Sequence, residues 1–292
     1  MLLERYDIGD KLGEGKFGAV YRGQHKITGE TVAIKLETVA CEHSIMLHET
    51  QILQYLRRYG VRSGIPLVRW FIGPPSQPAL VMTFLPHTLI GFIRTRVFKT
   101  SIEYRDTIYD IYRQGIRVLK QIHGKYVIHR DIKPDNFMMN ANGALVLVDF
   151  GLATFFKDSD EKEHDDDTKI KEEKTPQPHT ETMVGTARFA SYFVHEGREY
   201  CPRDDYLSWT YVYWYLCLLP NRDSNRRKLP WDQPISALER EQHDKVSIYH
   251  SKNQWLKQQK TWSIVDASFT LSEKSDDDYT PWRYLYNYYH QP

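Results

Sequence analysis

The chain has 292 residues, of which 41% are hydrophobic and 26% are charged, and its formal net charge is +1. This composition is typical of a globular protein that can bury a sizeable core as one large domain or as two packed lobes. A charge so close to neutral argues against a protein that coats nucleic acid or an anionic membrane, so we expect no nucleic-acid partner.

The cysteines and the first ten residues indicate an intracellular setting. Cys41, Cys201 and Cys217 lie far apart in sequence and form no C-x-x-C pair, so we predict reduced thiols and neither a disulfide nor a zinc site. Glu4 and Arg5 interrupt the apolar run that a signal peptide would need. We therefore expect a cytoplasmic or nuclear protein.

The N-terminal part predicts a small sheet with one helix. The runs YDIGDKL, GAVYRGQH and TVAIKLE are rich in β-branched and aromatic residues, and they predict three strands of an antiparallel meander with a turn at ITGE. Met46, Leu53 and Leu56 recur at near-helical spacing and predict a helix over residues 43–58. Two further apolar runs, IPLVRWFI and ALVMTFL, complete this unit near Met82.

Helices dominate the rest of the chain. We predict one helix over residues 102–124, a strand at ALVLVDF, and another helix from Asp205 onward. The apolar run at residues 206–220 is shorter than the roughly 18–20 residues of a membrane span, so we predict a buried helix there. The predicted fold class is α+β, with a small β-rich lobe at residues 1–82 and a larger α-helical lobe at residues 83–292.

A glycine pattern and a lysine suggest a phosphate site in the first lobe. Gly13, Gly15 and Gly18 have the spacing G-x-G-x-x-G, and glycines let backbone amides approach phosphate oxygens. A glycine-rich turn is an equal alternative, and a dinucleotide fold would need a helix where this sequence predicts a strand. Alternation with Ala33 places Lys35 on the face beneath the glycines, although a lone strand lysine is usually a solvated edge charge.

Glu49 provides a partner for this lysine. It lies three residues after Met46 and four before Leu53, on the helix stripe that must face the protein. A buried carboxylate needs a cation, because removing one member of a buried pair costs about 3–5 kcal/mol. We predict that Lys35 is that cation. The alternative is a glutamate at the edge of the stripe that reaches water.

The segment YVIHRDIKPDNFMMN, residues 126–140, carries unusually dense charge beside apolar residues. Asp131 can orient a hydroxyl, Lys133 can neutralise a migrating phosphoryl group, and Asn136 can hold magnesium together with Asp149 of the later D-F-G motif. With the strand lysine and the helix glutamate in the same order, this set is identified as that of the protein kinases. These roles are the ones generally assigned to the motifs of protein kinases.

Further motifs resemble one kinase family. The stretches GTARFAS at residues 185–191 and RDDYLSW at residues 203–209, with AIKLE, HRDIKPDNF and DFGLA, resemble the casein kinase I family. The resemblance runs from about residue 5 to residue 231 and weakly to the end. It implies a two-lobed kinase fold, ATP with Mg²⁺ as cofactors, and transfer to serine or threonine hydroxyls of protein substrates. We expect a monomer.

The resemblance also implies roles for single residues. Met82 would be the gatekeeper beside a hinge at residues 83–86, and Asp205 would brace the catalytic loop from the start of a helix. Arg188 would contribute to an anion pocket that favours acidic or phosphorylated substrates. The residues implied at the nucleotide, with Leu12, Val20 and Ala33 above the adenine and Met138 below it, are Leu12, Gly13, Gly15, Gly18, Val20, Ala33, Lys35, Met82 and Met138.

The sequence departs from that family at several positions. Gly91 stands where the family usually has an acidic residue near the ribose, with Thr88 as the nearest polar substitute, and Gln242 stands where a lysine would complete the anion pocket. The insert at residues 157–174 contains nine Asp or Glu against five Lys and predicts a solvated loop. These departures motivate an alternative function, a nucleotide-binding pseudokinase or scaffold. Retention of Lys35, Asp131 and the D-F-G aspartate favours an active enzyme.

Overall fold

The described part of the chain forms two compact units. A computed structural model describes residues 2–15, 18–37, 44–73, 76–156, 184–220 and 229–232. The first unit comprises residues 1–99, 117–129 and 134–154, and the second comprises residues 100–116, 130–133 and 155–292. The predicted acidic insert and Gln242 lie outside the described residues. The lobe boundary after residue 82 stays a prediction.

The first unit begins with an antiparallel sheet. After a one-turn helix α1 (Leu2–Arg5), its strands are β1 (Tyr6–Gly15), β2 (Gly18–His25), β3 (Thr31–Glu37), β4 (Val68–Ile72) and β5 (Ala79–Thr83), in the spatial order β1-β2-β3-β5-β4. The predicted meander of the first three strands is confirmed. Alternation along β3 separates two buried clusters, because Val32 and Ile34 pack with Tyr6 while Ala33 packs with Met82.

Helix α2 (Ile45–Arg58) connects β3 to β4 and confirms the predicted helix. Ser44 caps its N-terminus, since its hydroxyl oxygen accepts a hydrogen bond of 3.1 Å from the Leu47 amide. Leu53 and Leu56 are completely buried on its inner stripe. The last turn carries basic residues that suit the negative end of the helix dipole.

Short elements complete the first unit. They are the strands β6 (His87–Thr88), β7 (Val127–Ile128), β8 (Phe137–Met139) and β9 (Leu145–Leu147), the first residue of β10 (Thr154–Phe155), the helix α3 (Leu89–Thr95), and 3₁₀ turns at Pro134–Asn136 and Phe150–Leu152. β8 pairs antiparallel with both β6 and β9. Thr88 caps the N-terminus of α3, since its hydroxyl accepts a hydrogen bond of 3.0 Å from the Gly91 amide.

The second unit is helical. It contains the part of α4 (Ser101–His123) up to residue 116, with α5 (Tyr192–His195), α6 (Pro202–Leu218) and a 3₁₀ turn at Pro230–Asp232. The predicted buried helix is confirmed by α6, which begins three residues before the expected Asp205 because Pro202 suits its first turn. Two aromatic residues from outside α6 pack on its own aromatic side chains: Tyr112 contacts Trp209 and Tyr213, and Trp231 contacts Tyr211 and Trp214.

The α+β fold class is confirmed by the antiparallel sheet at the N-terminus and the helices that follow it. Among the residues described here, no helix combines the length and the apolarity that crossing a membrane requires.

Gly115 of α4 allows close packing against α6, and its replacement tests that contact. A Cβ at this position would overlap the indole of Trp209, whose Nε1–H donates to the Tyr112 carbonyl at 2.9 Å. Gly115→Ala should therefore lower the free energy of unfolding by about 1–3 kcal/mol, although alanine normally stabilises a helix by about 1 kcal/mol. Urea denaturation measures the difference. Gln114→Ala is the control and should change stability by less than about 0.5 kcal/mol; a stabilised Gly115→Ala would contradict this packing.

Candidate active site

A buried ion network joins strand β3 to helix α2 in the first unit. Lys35 Nζ lies 2.6 Å from Glu49 Oε2 and 2.9 Å from Asp149 Oδ1. Glu49 is only 1% exposed, so its carboxylate has lost nearly all contact with water. Its second oxygen, Oε1, accepts a hydrogen bond of 3.2 Å from the Phe150 amide. The structure thus pairs Lys35 with Glu49, as the helix stripe suggested, and adds the D-F-G segment to the pair.

The charge of Lys35 is held by its neighbours. Burial on its own would lower the pKa of the Lys35 ammonium, but the carboxylates of Glu49 and Asp149 outweigh burial and raise the pKa above the ordinary lysine value. The ammonium therefore stays charged at neutral pH. A fixed cation on β3 can bind phosphate oxygens without a change of protonation.

Asp149 has a backbone conformation that is uncommon for residues other than glycine. Its φ is 64°, in the left-handed region, and its side chain remains 44% exposed although Oδ1 contacts Lys35. The next residue, Phe150, is fully buried and packs edge-on against His129, with ring centroids 4.9 Å apart. His129 Nε2 lies 3.1 Å from the Val148 carbonyl oxygen. Such strain at an exposed carboxylate is typical of functional sites.

Asn136 and Asp149 lie at the same end of a hairpin. Asn136 immediately precedes β8 and Asp149 follows β9 after one residue, and these strands are antiparallel with Phe137 opposite Leu147. The Asn136 carbonyl also accepts a hydrogen bond of 2.9 Å from the Val148 amide. The hairpin therefore fixes the positions of the predicted amide ligand and the predicted carboxylate ligand.

These two residues fit a magnesium ion that is shared with phosphates. Amide and carboxylate oxygens are hard ligands, and Mg²⁺ in phosphate-transfer sites commonly takes one or two protein carboxylates with phosphate oxygens and water. Within the described ranges, no group of three or more His, Cys, Asp or Glu residues could hold a metal by itself. Asn136 and Asp149 would accordingly need the phosphates of a nucleotide to complete the coordination.

The three glycines of the β1–β2 hairpin differ in what their surroundings require. A Cβ at Gly18 would overlap the Leu36 carbonyl oxygen, so packing alone demands glycine there. A Cβ at Gly13 or Gly15 would meet nothing within 4 Å. Packing therefore does not explain Gly13 and Gly15, whereas the close approach of a ligand to the backbone would.

The side chains predicted at an adenine base lie on several strands. Ala33 and Met82 are opposite each other in β3 and β5 and share a buried cluster against which Val20 packs. Leu12 in β1 is 50% exposed, and Met138 is half-buried in β8. Their contacts with a nucleotide stay predictions.

In the second unit, Asp131 holds two polar side chains. Lys133 Nζ lies 2.6 Å from Asp131 Oδ2, and the Thr186 hydroxyl donates to Asp131 Oδ1 at 2.7 Å. Lys133 Nζ also lies 3.2 Å from Thr186 Oγ1. Asp131 is 6% exposed, so these contacts replace most of its hydration. Sequence reasoning missed Thr186, although it is part of the GTARFAS stretch that carried the family resemblance.

Asp205 supports the backbone of the residue before Asp131. Its Oδ1 accepts a hydrogen bond of 3.0 Å from the Arg130 amide, which is the bracing contact that the resemblance implied. Arg130 has a φ of 68°, so this residue also adopts a left-handed conformation. Asp205 is buried in the first turn of α6. The bond fixes the start of the segment that presents Asp131.

Arg188 forms an ion pair with Asp232, a carboxylate of the same chain. Its Nε donates to Asp232 Oδ1 at 2.8 Å, and its Nη2 donates to Asp232 Oδ2 at 2.5 Å. The guanidinium also lies 4.9 Å from the centroid of the Tyr215 ring. Sequence reasoning missed Asp232, because 44 residues separate the two partners and no local pattern connects them. The role of Arg188 in a substrate anion pocket stays a prediction.

A comparison with known families agrees with this geometry. A family model described as "Protein kinase domain" matches residues 6–261, which is well over half of the chain. The matched range contains every site residue named above in both units. The match is to the kinase domain in general and does not distinguish among kinase families.

Replacing Glu49 should show how far the first unit depends on its ion network. Glu49→Ala should lower the free energy of unfolding by about 3 kcal/mol, near the lower end for a broken buried pair, because Asp149 still contacts Lys35. The double variant Lys35→Met with Glu49→Leu should lose less of its free energy of unfolding than Glu49→Ala, since it leaves no unpaired buried charge. Urea denaturation measures all of these variants.

An exposed pair of equal length serves as the control. Lys11 Nζ lies 2.6 Å from Glu14 Oε2 at the surface, so Glu14→Ala should change stability by less than about 1 kcal/mol. If the Lys35→Met, Glu49→Leu double variant is less stable than Glu49→Ala, the ion network is not what makes Glu49 necessary.

Proposed function

The chain belongs to the protein kinase family, and we propose that it is an active serine/threonine kinase of the casein kinase I type. The observation that carries this proposal is the arrangement of Asp131, Lys133 and Thr186. A nearly buried carboxylate there holds an ammonium at 2.6 Å and an aliphatic hydroxyl at 2.7 Å. A transfer reaction to a serine or threonine needs those same groups beside the acceptor.

The proposed reaction uses Asp131 as the base. Asp131 orients the substrate hydroxyl and accepts its proton while Lys133 neutralises charge on the γ-phosphate. The hydrogen bond from Thr186 supports this role, because it demonstrates that Asp131 accepts from a hydroxyl on a short aliphatic side chain. Asp205 holds the backbone of the preceding residue, so the carboxylate is positioned before substrate binds.

The first unit supplies the nucleotide contacts in this proposal. Lys35 binds the α- and β-phosphates of ATP, and Glu49 keeps Lys35 in position. Asn136 and Asp149 hold Mg²⁺ together with the phosphates. Magnesium, when bound, neutralises the charge that develops on the phosphate oxygens.

Sequence motifs support the proposed kinase type, and free thiols support the proposed location. GTARFAS and RDDYLSW support a casein kinase I-like enzyme that acts on protein substrates. Cys201 and Cys217 are free thiols, which supports a location in the cytoplasm or the nucleus. We also propose that the protein is a monomer.

One observation favours a second candidate, a nucleotide-binding scaffold with little catalysis. Gly91 provides no carboxylate near the expected ribose, and the Thr88 hydroxyl that could replace it already accepts a hydrogen bond from the Gly91 amide. A nucleotide whose ribose is held less firmly presents its γ-phosphate less precisely, so transfer suffers while the phosphate contacts still bind the nucleotide. The retained Lys35, Asp131 and Asp149 outweigh this observation.

A peptide array incubated with ATP and Mg²⁺ tests the proposal directly. Peptides that contain serine or threonine should be phosphorylated, and otherwise identical peptides with tyrosine as the acceptor should not be. Transfer to tyrosine alone would refute the substrate class. Binding of ATP without transfer to any peptide would support the scaffold.

Asp131→Asn separates chemistry from nucleotide binding. The variant should lower kcat by about 10²–10⁴-fold, the usual contribution of a general base, and should leave the Kd for ATP within about 2-fold. Phosphate transfer to the best array peptide and ATP-dependent thermal stabilisation measure the two effects. Lys35→Met is the reciprocal control and should weaken ATP binding as well as turnover. Wild-type turnover by Asp131→Asn would remove Asp131 from the proposed role.

A further inference from the structure

Tyr200 lies between two segments of the second unit: the catalytic loop, residues 130–133, which carries Asp131, and residues 184–186, which carry Thr186. It stands two residues before α6, with its side chain half-buried. Its hydroxyl donates a hydrogen bond to the Val184 carbonyl, and its ring lies beneath the Arg130 guanidinium at 5.8 Å from the centroid. One side chain therefore contacts both the catalytic loop and the segment that contains Thr186.

The segment held by Tyr200 is in close contact with the catalytic loop. Immediately after Val184, Gly185 has a φ of 89°, and a Cβ at this position would overlap the Arg130 carbonyl oxygen. The next residue, Thr186, donates its hydroxyl to Asp131 at 2.7 Å. Three consecutive residues thus contact Tyr200, the Arg130 backbone and the Asp131 carboxylate in turn.

The other side of Tyr200 faces the start of the catalytic loop. The Arg130 guanidinium lies over the ring, within the range of a cation–π contact, while the Arg130 amide donates to Asp205. The cavity that remains among these groups measures about 10 Å³, which is room for one water molecule at most. A shift of the Tyr200 side chain would therefore disturb its neighbours.

Tyr200 also remains a hydrogen-bond donor over the working pH range. Burial raises the pKa of its hydroxyl above the ordinary tyrosine value, and the nearby Asp204 carboxylate raises it further. The neutral phenol therefore keeps its proton and can donate to the Val184 carbonyl.

We propose that Tyr200 is a positioning residue that keeps Thr186 on Asp131 by holding residues 184–186 against the catalytic loop. This inference rests on the proposed function, in which Asp131 is the base. Tyr200 acts on Asp131 indirectly, through Thr186 and the backbone of Arg130. Its own contacts are a neutral hydrogen bond and an aromatic ring, so holding residues 184–186 in place requires no added charged group on them.

The test compares two tyrosines that make the same kind of bond. Tyr104 also lies in the second unit, and its hydroxyl donates to the carbonyl of Leu216, a residue of α6, at 2.6 Å. Tyr200→Phe and Tyr104→Phe each remove one hydroxyl and keep the ring, so similar small decreases in thermal stability are expected. Only Tyr200→Phe should lower kcat for peptide phosphorylation, by about 10-fold, the size expected for one lost hydrogen bond. The KM for ATP should stay within about 2-fold in both variants.

A double variant shows whether Tyr200 works through Thr186. Thr186→Val should lower kcat, and adding Tyr200→Phe to it should lower kcat by less than a further 2-fold, because the contact that Tyr200 positions is already gone. If the losses of kcat in Thr186→Val and Tyr200→Phe multiply in full in the double variant, Tyr200 does not act through Thr186. Equal kcat in Tyr200→Phe and Tyr104→Phe would overturn the positioning role itself.

Hydrogen exchange gives a readout that does not depend on enzyme activity. The Phe189 and Ala190 amides donate to the Thr186 carbonyl at 3.0 Å each, so their exchange rates report on the position of Thr186. Tyr200→Phe should speed their exchange by about 10-fold, whereas Tyr104→Phe should not. If Tyr200→Phe exchanges faster than the wild-type protein while the wild-type protein phosphorylates no peptide, the positioning contact is supported and the proposed kinase activity is refuted. Unchanged exchange would overturn the positioning role whether or not the protein is active.

Discussion

Burial of the Glu49 carboxylate is the constraint on which the first unit depends. A carboxylate that is 1% exposed is tolerable only if cations and amides replace the water it has lost. Lys35 and the Phe150 amide do so from two different segments. The rotation of α2, the position of Lys35 on β3 and the start of the D-F-G turn are consequently fixed together, and a shift in any one would leave buried charge unpaired.

The second unit follows the same principle with different donors. Asp131 and Asp205 are both nearly buried, and each is satisfied by groups from segments distant in sequence: Thr186 for Asp131 and the Arg130 amide for Asp205. Lys133 adds a charge only two residues away. Charged groups that are already desolvated and held in place need little reorganisation during a reaction, which is how fixed dipoles and charges stabilise transition states.

Local sequence patterns were enough to predict these elements: enrichment in β-branched and aromatic residues for the strands of the meander, helical spacing of apolar residues for α2, and a long apolar run for α6. They also predicted the pair of Lys35 with Glu49, since a helix stripe points its carboxylate inward. They could not predict Thr186 on Asp131 or Asp232 on Arg188, which lie 55 and 44 residues apart and share no local pattern. The nucleotide contacts implied by the family resemblance remain predictions for the same reason, since they depend on geometry between distant segments.

Helix α4 contributes residues to both compact units, and this has a consequence for dissecting the protein. Residues 100–116 belong to the second unit, whereas residues 117–129 belong to the first, which also takes residues 134–154. A fragment that ends at Lys99 would keep the five-stranded sheet but would lack the hairpin that carries Asn136 and Asp149. No single cut in the backbone separates the chain into two complete units, so neither can be expressed whole as one uninterrupted piece of the sequence.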